Sequence, residues 1–361
     1  MERRCVHRTY RCSRMKKFSL NMLFVLSLLL QPIIAEGDAP AQVSGLSVQE
    51  ACMLELINTA PDKVTIGEAR ARCGKRTTEA GSDESVEQTR RQTGAVEERL
   101  DVDETNILKP FTLMSHRNNY ILLAAHNFQG WEATQNDNDF EFDGADIDDT
   151  EVQFQLSIKA PLAINLFDQG LDIFTAYTVR SFWQLYNGDN SSPFRETNHE
   201  PELWLQIRPD WKILGFKNTV SALGINHQSN GKGGELSRSW NRIYAGFGFE
   251  RNNFAFLLRP WIRIQENSQD DDNPDITDYY GHGELWAAYK YKDHTFSFMS
   301  RNNIESGFSR GAVELGWSFP LLRYNFLKGY LQYFSGYGES LIDYDHYVNR
   351  IGIGLQLTDL L

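Results

Sequence analysis

The chain has 361 residues, 41% of them hydrophobic, which is enough for one large domain or two ordinary ones. Its formal net charge of −12 excludes the basic surface that a nucleic-acid-binding protein needs. Four cysteines, two of them in the first 12 residues, are too few for a fold built on disulfides.

The N-terminus has the layout of an export signal. An apolar run, residues 20–30, follows a basic stretch at residues 15–17 and precedes small residues near Ala35. This arrangement predicts a secretory signal peptide within residues 1–35, with residues 1–14 as an upstream extension. A transmembrane anchor is the alternative, but the run is short for a spanning helix.

Residues 36–106 are expected to form a small periplasmic segment. Apolar residues recur at helical intervals early in this segment, which predicts short helices within residues 43–76. Residues 77–106 are polar and charged without a sustained apolar period, a composition typical of a linker.

A period-two pattern begins near residue 117 and continues towards the C-terminus. Apolar side chains alternate with small or polar ones over residues 152–159, 312–319 and 351–357. Stretches rich in Gly, Asn, Asp and Pro separate such segments, as expected for turns between strands. The pattern predicts twelve strands, near residues 119–128, 151–160, 172–185, 202–209, 218–228, 240–250, 254–265, 278–291, 294–301, 311–319, 326–335 and 348–358.

The second face of these strands distinguishes a membrane barrel from a soluble one. It carries full charges of both signs, at Arg242, Glu250, Arg259, Arg263, Glu284 and Glu314. An apolar exterior, a polar interior, an even strand number and abundant aromatic residues characterise outer-membrane barrels. We therefore predict an all-β fold, a twelve-stranded antiparallel transmembrane β-barrel over residues 107–361. A soluble β domain is the alternative.

Polar residues interrupt the apolar face on both sides of one predicted hairpin, GINHQSNGKGGELSRSWNR (224–242). His227 and Ser229 share a face with Ile225, and Asn241 shares a face with Ile243. Polar groups on an apolar face cost free energy and need a reason to be there. A hairpin with a short loop at residues 230–239 would bring the three together.

These three residue types match a hydrolase site. Histidine can take the proton of a serine hydroxyl, and asparagine can hold the ring in one tautomer, as the acid does in a Ser-His-Asp arrangement. A lipid-facing serine could reach the acyl ester of a lipid. The alternative is that these are polar strand-end residues at headgroup level, because a His-x-Ser sequence alone is common.

Four sequence runs resemble the outer membrane phospholipase A family. They are NSSPFRETNHEPELWL (190–205), NHQSNGKGGELSRSWNR (226–242), DDNPDIT (271–277) and YFSGYGESLIDY (333–344). The resemblance covers roughly residues 107–361. It implies a twelve-stranded barrel of the bacterial outer membrane that hydrolyses acyl esters of phospholipids and lysophospholipids. It also implies calcium dependence and activity as a homodimer.

The resemblance assigns a role to each residue of the hairpin site. Ser229 would be the nucleophile, His227 its base and Asn241 the orienter of the ring. The backbone N–H of Gly231 would donate to the oxyanion. Gln228, between the catalytic pair, is expected to point into the barrel.

Calcium ligands and a dimer contact also follow from the resemblance. The carbonyl of Lys232 and the hydroxyl of Ser237 would bind calcium, joined by Ser191 from the second subunit. Oxygen ligands suit calcium. Relatives carry glutamine where this chain has Val179, and valine cannot make their hydrogen bond across the dimer interface, so we expect a weaker dimer.

An acidic stretch at residues 137–151 resembles an EF-hand calcium loop. Thr150 occupies the position that needs Glu, and no helices are predicted beside it, so a solvated loop is expected.

Other functions remain open from the residues alone. A passive barrel, either a narrow pore or a structural protein, is the main alternative, and an adhesin is another. Long inward Arg, Glu, Tyr and Trp side chains argue against an open pore, and mostly short loops argue against an adhesin.

The order of the strands predicts where the hairpin site lies in the membrane. With a periplasmic N-terminus, odd-numbered strands run outward, so the fifth strand ends at the cell surface. His227, Ser229 and Asn241 would then lie at the headgroup level of the outer leaflet.

Cys52 and Cys73 are the only cysteines after the signal, and we expect them to form a disulfide in the oxidising periplasm. In the chain-entropy model, closing a loop of this size stabilises a small module by roughly 3 kcal/mol. Free-thiol labelling of the denatured, unreduced protein measures the pairing. Two reactive thiols per mature chain would contradict it.

Overall fold

The computed structural model describes residues 94–107, 113–131, 147–267, 269, 271–321 and 324–358. The predicted signal peptide, the helices within 43–76, Cys52 and Cys73 and most of the acidic stretch 137–151 lie outside these residues. Those expectations stay predictions.

Strands dominate the described residues. There are fourteen strands, two α-helices and one short 3₁₀ helix in this part of the chain. In chain order they are α1 Ala95–Ile107, β1 Met114–Ser115, β2 Asn119–Asn127, β3 Thr150–Leu166, β4 Leu171–Trp183, β5 Phe194–Ile207, β6 Lys212–Ile213, β7 Phe216–Ser229, the 3₁₀ helix Gly234–Leu236, β8 Ser239–Arg251, β9 Phe254–Ile264, α2 Ile276–Tyr280, β10 Gly283–Tyr291, β11 His294–Arg301, β12 Ala312–Leu321, β13 Tyr324–Gly336 and β14 Val348–Thr358.

The twelve long strands close into an antiparallel barrel. Chain neighbours pair with one another from β7 to β14 and from β2 to β5, β5 pairs with β7, and β14 pairs with β2. The two-residue strands β1 and β6 attach to β3 and β7. Closure leaves no open sheet edge, so backbone groups in the wall bond to neighbouring strands. The prediction of a twelve-stranded barrel is confirmed.

The wall has an apolar outer face and a polar inner face. On β7, Leu223 and Ile225 expose 56% and 52% of their surface, whereas the next residue, Asn226, exposes 3%. On β8, Ile243 is exposed and Arg242 is buried. This alternation is the one predicted for a lipid-facing exterior. Neither α1 nor α2 is long and apolar enough to cross a membrane.

Charges of both signs pair inside the barrel. Arg117 lies 2.8 Å from Glu200 and 2.7 Å from Glu202 through the same guanidinium nitrogen. A second group joins Glu151 to Arg195 at 2.9 Å and to Arg350 at 2.8 Å. Buried charges are tolerated when they are paired and hydrogen-bonded in this way.

The loop after β13 completes the second charge group. Glu339, unexplained by the sequence, is buried there and lies 3.4 Å from Arg350. Burial raises the pKa of the Glu339 carboxyl. The neighbouring Ser340 hydroxyl donates to Asp343, which also pairs with Arg195. These residues therefore tie the loop to the barrel interior.

Residues 95–106, the last part of the predicted linker, belong to helix α1. Its N-terminal N–H groups at Val96 and Glu97 donate to Glu250 at 2.8 and 3.3 Å, and a carboxylate is favourable at a helix N-terminus. Lys217 pairs with Glu97 at 2.9 Å and Lys159 with Asp103 at 2.6 Å. Local composition did not predict this helix, because barrel side chains stabilise a polar helix that has little apolar periodicity of its own.

Helix α2 occupies the start of the predicted strand 278–291, and the strand begins instead at Gly283. Ile276 and Tyr280, four residues apart, share one helical face and are both buried. Gly281, with φ of 64°, ends the helix. Other boundaries moved as well, since β3 extends to Leu166 and β5 begins at Phe194.

Single cysteines at positions 225 and 226 test the two faces of β7. In a background with the native cysteines replaced by serine, a lipid-soluble thiol reagent should label Ile225→Cys and spare Asn226→Cys, because position 225 faces outward and position 226 is buried. Labelling is measured on folded protein in bilayers. Preferential labelling at position 226 would contradict the strand parity.

Candidate functional site

The hairpin of β7 and β8 carries the three predicted catalytic residues. His227 is the register partner of Asn241, and Ser229 lies two residues further along β7, opposite Ser239. All three are half-buried and share the outward face with exposed Ile225 and Ile243. The strand pairing thus brings histidine and asparagine together on the apolar side of the wall, as the sequence predicted.

A hydrogen bond of 2.8 Å joins His227 Nδ1 to Asn241 Oδ1. Because a carbonyl oxygen can only accept, Nδ1 must carry the proton, which leaves a lone pair on Nε2. The amide orientation is supported by its other end, where Asn241 Nδ2 donates to Glu266 Oε1 at 2.9 Å. The ring is therefore held in the tautomer that a general base requires.

Ser229 ends β7 on the same face as His227. Within the described residues its hydroxyl makes no hydrogen bond, so the structure does not join the serine to the histidine directly. Nucleophile–base hydrogen bonds are often long before substrate binds. The side chain is half-buried and available to a ligand at the outer wall.

Asn230 shapes the loop that follows the serine, a role that the sequence analysis missed. This buried amide donates to the Leu236 carbonyl at 2.8 Å, and its oxygen accepts from the N–H groups of Lys232 and Arg238 at 3.3 and 3.0 Å. The next residue, Gly231, is exposed with φ of 69°, a conformation that suits glycine. Asn230 thus fixes the backbone from which a Gly231 N–H could donate.

Lys232 is anchored by its side chain as well as by the loop backbone. Its ammonium group donates to the Arg195 carbonyl at 3.1 Å and lies 3.6 Å from Glu196. The sequence analysis considered only the Lys232 carbonyl. The side chain ties the β7–β8 loop to β5, so the position of that carbonyl depends on both.

The predicted calcium ligands lie in two loops at this end of the barrel. The Ser237 hydroxyl donates to Asp272 at 2.5 Å. Because the hydroxyl is the donor in this bond, the lone pairs of the Ser237 oxygen remain available to a metal. Ser191 is exposed in the β4–β5 loop with φ of 62°. In the part of the chain that the structure describes, the Ser191 side chain makes no hydrogen bond with Ser229, His227 or Asn241. No cluster of three or more His, Cys, Asp or Glu side chains in that part could hold a metal.

His199 is a further neighbour of the candidate nucleophile. It is the register partner of Ser229 on β5, and its Nδ1 is 2.5 Å from the Tyr177 hydroxyl. A Cβ added at Gly231 would lie 3.7 Å from the His199 ring. The sequence pattern gave His199 no role at the site, and its closeness to the loop follows from the pairing of β5 with β7.

Glu266 is a further residue that the sequence analysis missed. It lies just beyond β9, whose last residue, Ile264, is the register partner of Asn241. The signal was its parity, since residues 264 and 266 of an extended chain face the same side. A carboxylate on the outward face costs free energy there, as the polar groups of His227, Ser229 and Asn241 do.

Comparisons with known proteins identify the family of the chain. A sequence model of the family described as phospholipase A1 matches residues 96–357. Phospholipase A1 of Escherichia coli K12 is 38% identical over 252 residues, which cover 70% of this chain and 83% of that relative. Phospholipase A1 of Klebsiella pneumoniae is 37% identical over 252 residues, 70% of this chain and 84% of its own.

Two solved structures have a similar fold. Outer membrane phospholipase A from E. coli superimposes with a TM-score of 0.64 and 35% identity, covering 70% of this chain and all of that one. A Salmonella typhi outer membrane phospholipase dimer with bound calcium gives the same TM-score and identity, covering 70% of this chain and 94% of that one. The chain therefore belongs to the phospholipase A1 family and is an outer-membrane β-barrel phospholipase.

Proposed function

We propose that this phospholipase cleaves acyl esters of phospholipids and lysophospholipids with Ser229 as nucleophile, His227 as general base and Asn241 as the residue that orients the ring. The observation that carries the proposal is the 2.8 Å hydrogen bond between His227 and Asn241 on the outward face of the wall, two residues from Ser229. A polar strand end at headgroup level accounts for polar side chains here, but it gives no reason for an asparagine that holds the histidine in one tautomer.

The chemistry follows from the tautomer of His227. Nε2 accepts the Ser229 proton as Oγ attacks the ester carbonyl carbon, and Asn241 Oδ1 stabilises the imidazolium that forms. The Gly231 N–H donates to the oxyanion of the tetrahedral intermediate. Nε2 then returns its proton to the leaving alcohol, and water releases the fatty acid from the serine by the same two transfers in reverse.

The residues near Ser237 fit a calcium ion. Calcium prefers several oxygen ligands, and the Lys232 carbonyl and the Ser237 hydroxyl belong to one loop whose shape Asn230 holds. The Asp272 carboxylate beside Ser237 adds negative charge to this oxygen set. Ser191 is exposed in the neighbouring loop, where a second copy of the chain could use it. Bound calcium would supply positive charge near the developing oxyanion.

We propose a homodimer as the active form, which a solved relative described as a dimer with bound calcium supports. Val179 lies in β4, half-buried and opposite His199 in the register of β4 with β5. It has the parity of exposed Tyr177, so it faces outward, where a partner would pack. Its apolar side chain offers packing but no hydrogen bond.

Replacing Ser229 by Ala removes the nucleophile and should reduce calcium-dependent hydrolysis of micellar phospholipid by about a thousandfold or more. The measurement is fatty acid release by folded protein. Ser309→Ala, in the β11–β12 loop, is the matched control and should act like wild type. Retained activity in Ser229→Ala would contradict the assignment of the site.

Calcium and dimerisation should strengthen each other, because linkage between two binding events is reciprocal. Crosslinking should therefore give more dimer with calcium than with a chelator, and Ser237→Ala should remove this difference. Val179→Gln should raise the dimer fraction by supplying an interface hydrogen bond, whereas the apolar control Val179→Leu should not. Equal dimer fractions with calcium and with chelator would contradict the coupling.

A further inference from the structure

The amide of Asn241 can hold His227 in the correct tautomer only if it is itself prevented from turning over. Its oxygen and nitrogen are nearly equal in size, and a rotated amide would present N–H to the ring. His227 Nδ1 would then have to accept, its proton would move to Nε2, and Nε2 could no longer take the serine proton. An asparagine that orients the ring therefore needs a second hydrogen-bond partner that accepts from Nδ2 and cannot donate to Oδ1.

Glu266 supplies that distinction. An ionised carboxylate only accepts hydrogen bonds, so the 2.9 Å contact between Glu266 Oε1 and the Asn241 side chain requires Nδ2 at that end. The Oδ1 atom must then face His227, where the 2.8 Å contact is found. Glu266 is half-buried, and its only described hydrogen bond is to Asn241.

We propose that Glu266 is a positioning residue for the hydrolase reaction, and that His227, Asn241 and Glu266 form a hydrogen-bonded relay beside Ser229. Its charge also polarises the amide, which increases the negative charge that Oδ1 presents to the imidazolium. The carboxylate does not touch the ring, so it adds no direct ion pair to the resting histidine. The inference rests on the proposed function and extends it by one residue.

The relay also gives a physical reason for asparagine at position 241. An aspartate there would place its carboxylate within hydrogen-bond distance of Glu266. Two carboxylates so close cannot both stay ionised without a large cost. Asparagine avoids that repulsion because it accepts from the histidine at one end and donates to the glutamate at the other.

Replacing Glu266 by Ala frees the amide, and kcat should fall roughly three- to tenfold with KM unchanged, since half the amides can rotate and the polarisation is lost. Glu266→Gln removes the charge and can donate as well as accept, so it no longer distinguishes the two ends of the Asn241 amide, and its kcat should also fall by about twofold or more. Gln265→Ala, in the adjacent position, controls for disturbance of the loop and should act like wild type. Equal kcat for Glu266→Ala and Gln265→Ala would overturn the proposal.

The second arm is a charge exchange that a structural role would not reproduce. Asn241→Asp alone should have low activity because of the two facing carboxylates. Adding Glu266→Gln should raise the kcat of that variant about fivefold or more, because the glutamine amide then donates to the new carboxylate. An unchanged or lower kcat in the double variant would overturn the proposal.

Ser229→Ala separates the two levels of the hypothesis. If it retains hydrolysis, the proposed active site itself fails, whatever the Glu266 variants do. If it is inactive while Glu266→Ala equals Gln265→Ala in kcat, only the role of Glu266 fails.

Two further measurements apply to every variant. The heat-dependent shift of the barrel on gels checks folding. Reaction of Ser229 with a lipid fluorophosphonate reports activation of the nucleophile without phospholipid turnover.

Discussion

The register of β7 with β8 fixes both the buried charges on the inner face of the wall and the candidate site on its outer face. On its inner side, Arg242 donates to Asn226 at 3.0 Å and reaches Glu200 at 3.1 Å. On its outer side, the next pair along is His227 and Asn241. A slip of one residue would exchange the faces and place Arg242 against lipid. The register of the candidate site is therefore the register that the buried charges require.

The buried charges of the barrel interior stabilise this register. Removing one partner of a buried ion pair typically costs about 3–5 kcal/mol, because the other charge is left without compensation. Arg242, Glu200 and Arg117 form such a group in the barrel interior. Lys232 makes a second connection, since its loop lies at the site and its ammonium group reaches Glu196 on β5. The apolar wall could accept small changes in packing, whereas these polar contacts allow one alignment of the three strands.

The sequence predicted the fold best in the barrel wall, where alternate residues face lipid and the charged interior. Lipid outside and charges inside impose a period of two, and that period led from Ile225 and Ile243 to the outward positions of His227 and Asn241. It was least informative where stability comes from elsewhere in the chain. Helix α1 depends on Glu250 and Lys217 of the barrel, which local composition cannot report.

Glu266 and Asn230 show the same limit at the site. Glu266 acts across a strand boundary on Asn241, and its contact depends on the pairing of β8 with β9 and on the loop conformation after Ile264. Asn230 acts on the backbone of its own loop, but a loop amide is common and carries no distinctive pattern. Parity predicts which residues share the outward face, and only the fold shows which polar residues on that face meet.

The candidate site lies on the lateral wall, at the opposite end of β8 from the contacts between Glu250 and α1. Substrate need not leave the leaflet or enter the lumen, and both products can depart sideways into the same lipid film. Turnover would then follow the mole fraction of phospholipid in the surrounding surface, not its bulk concentration. Dilution of that film with an inert detergent would slow the enzyme even with total substrate held constant, as expected for a catalyst that works in two dimensions.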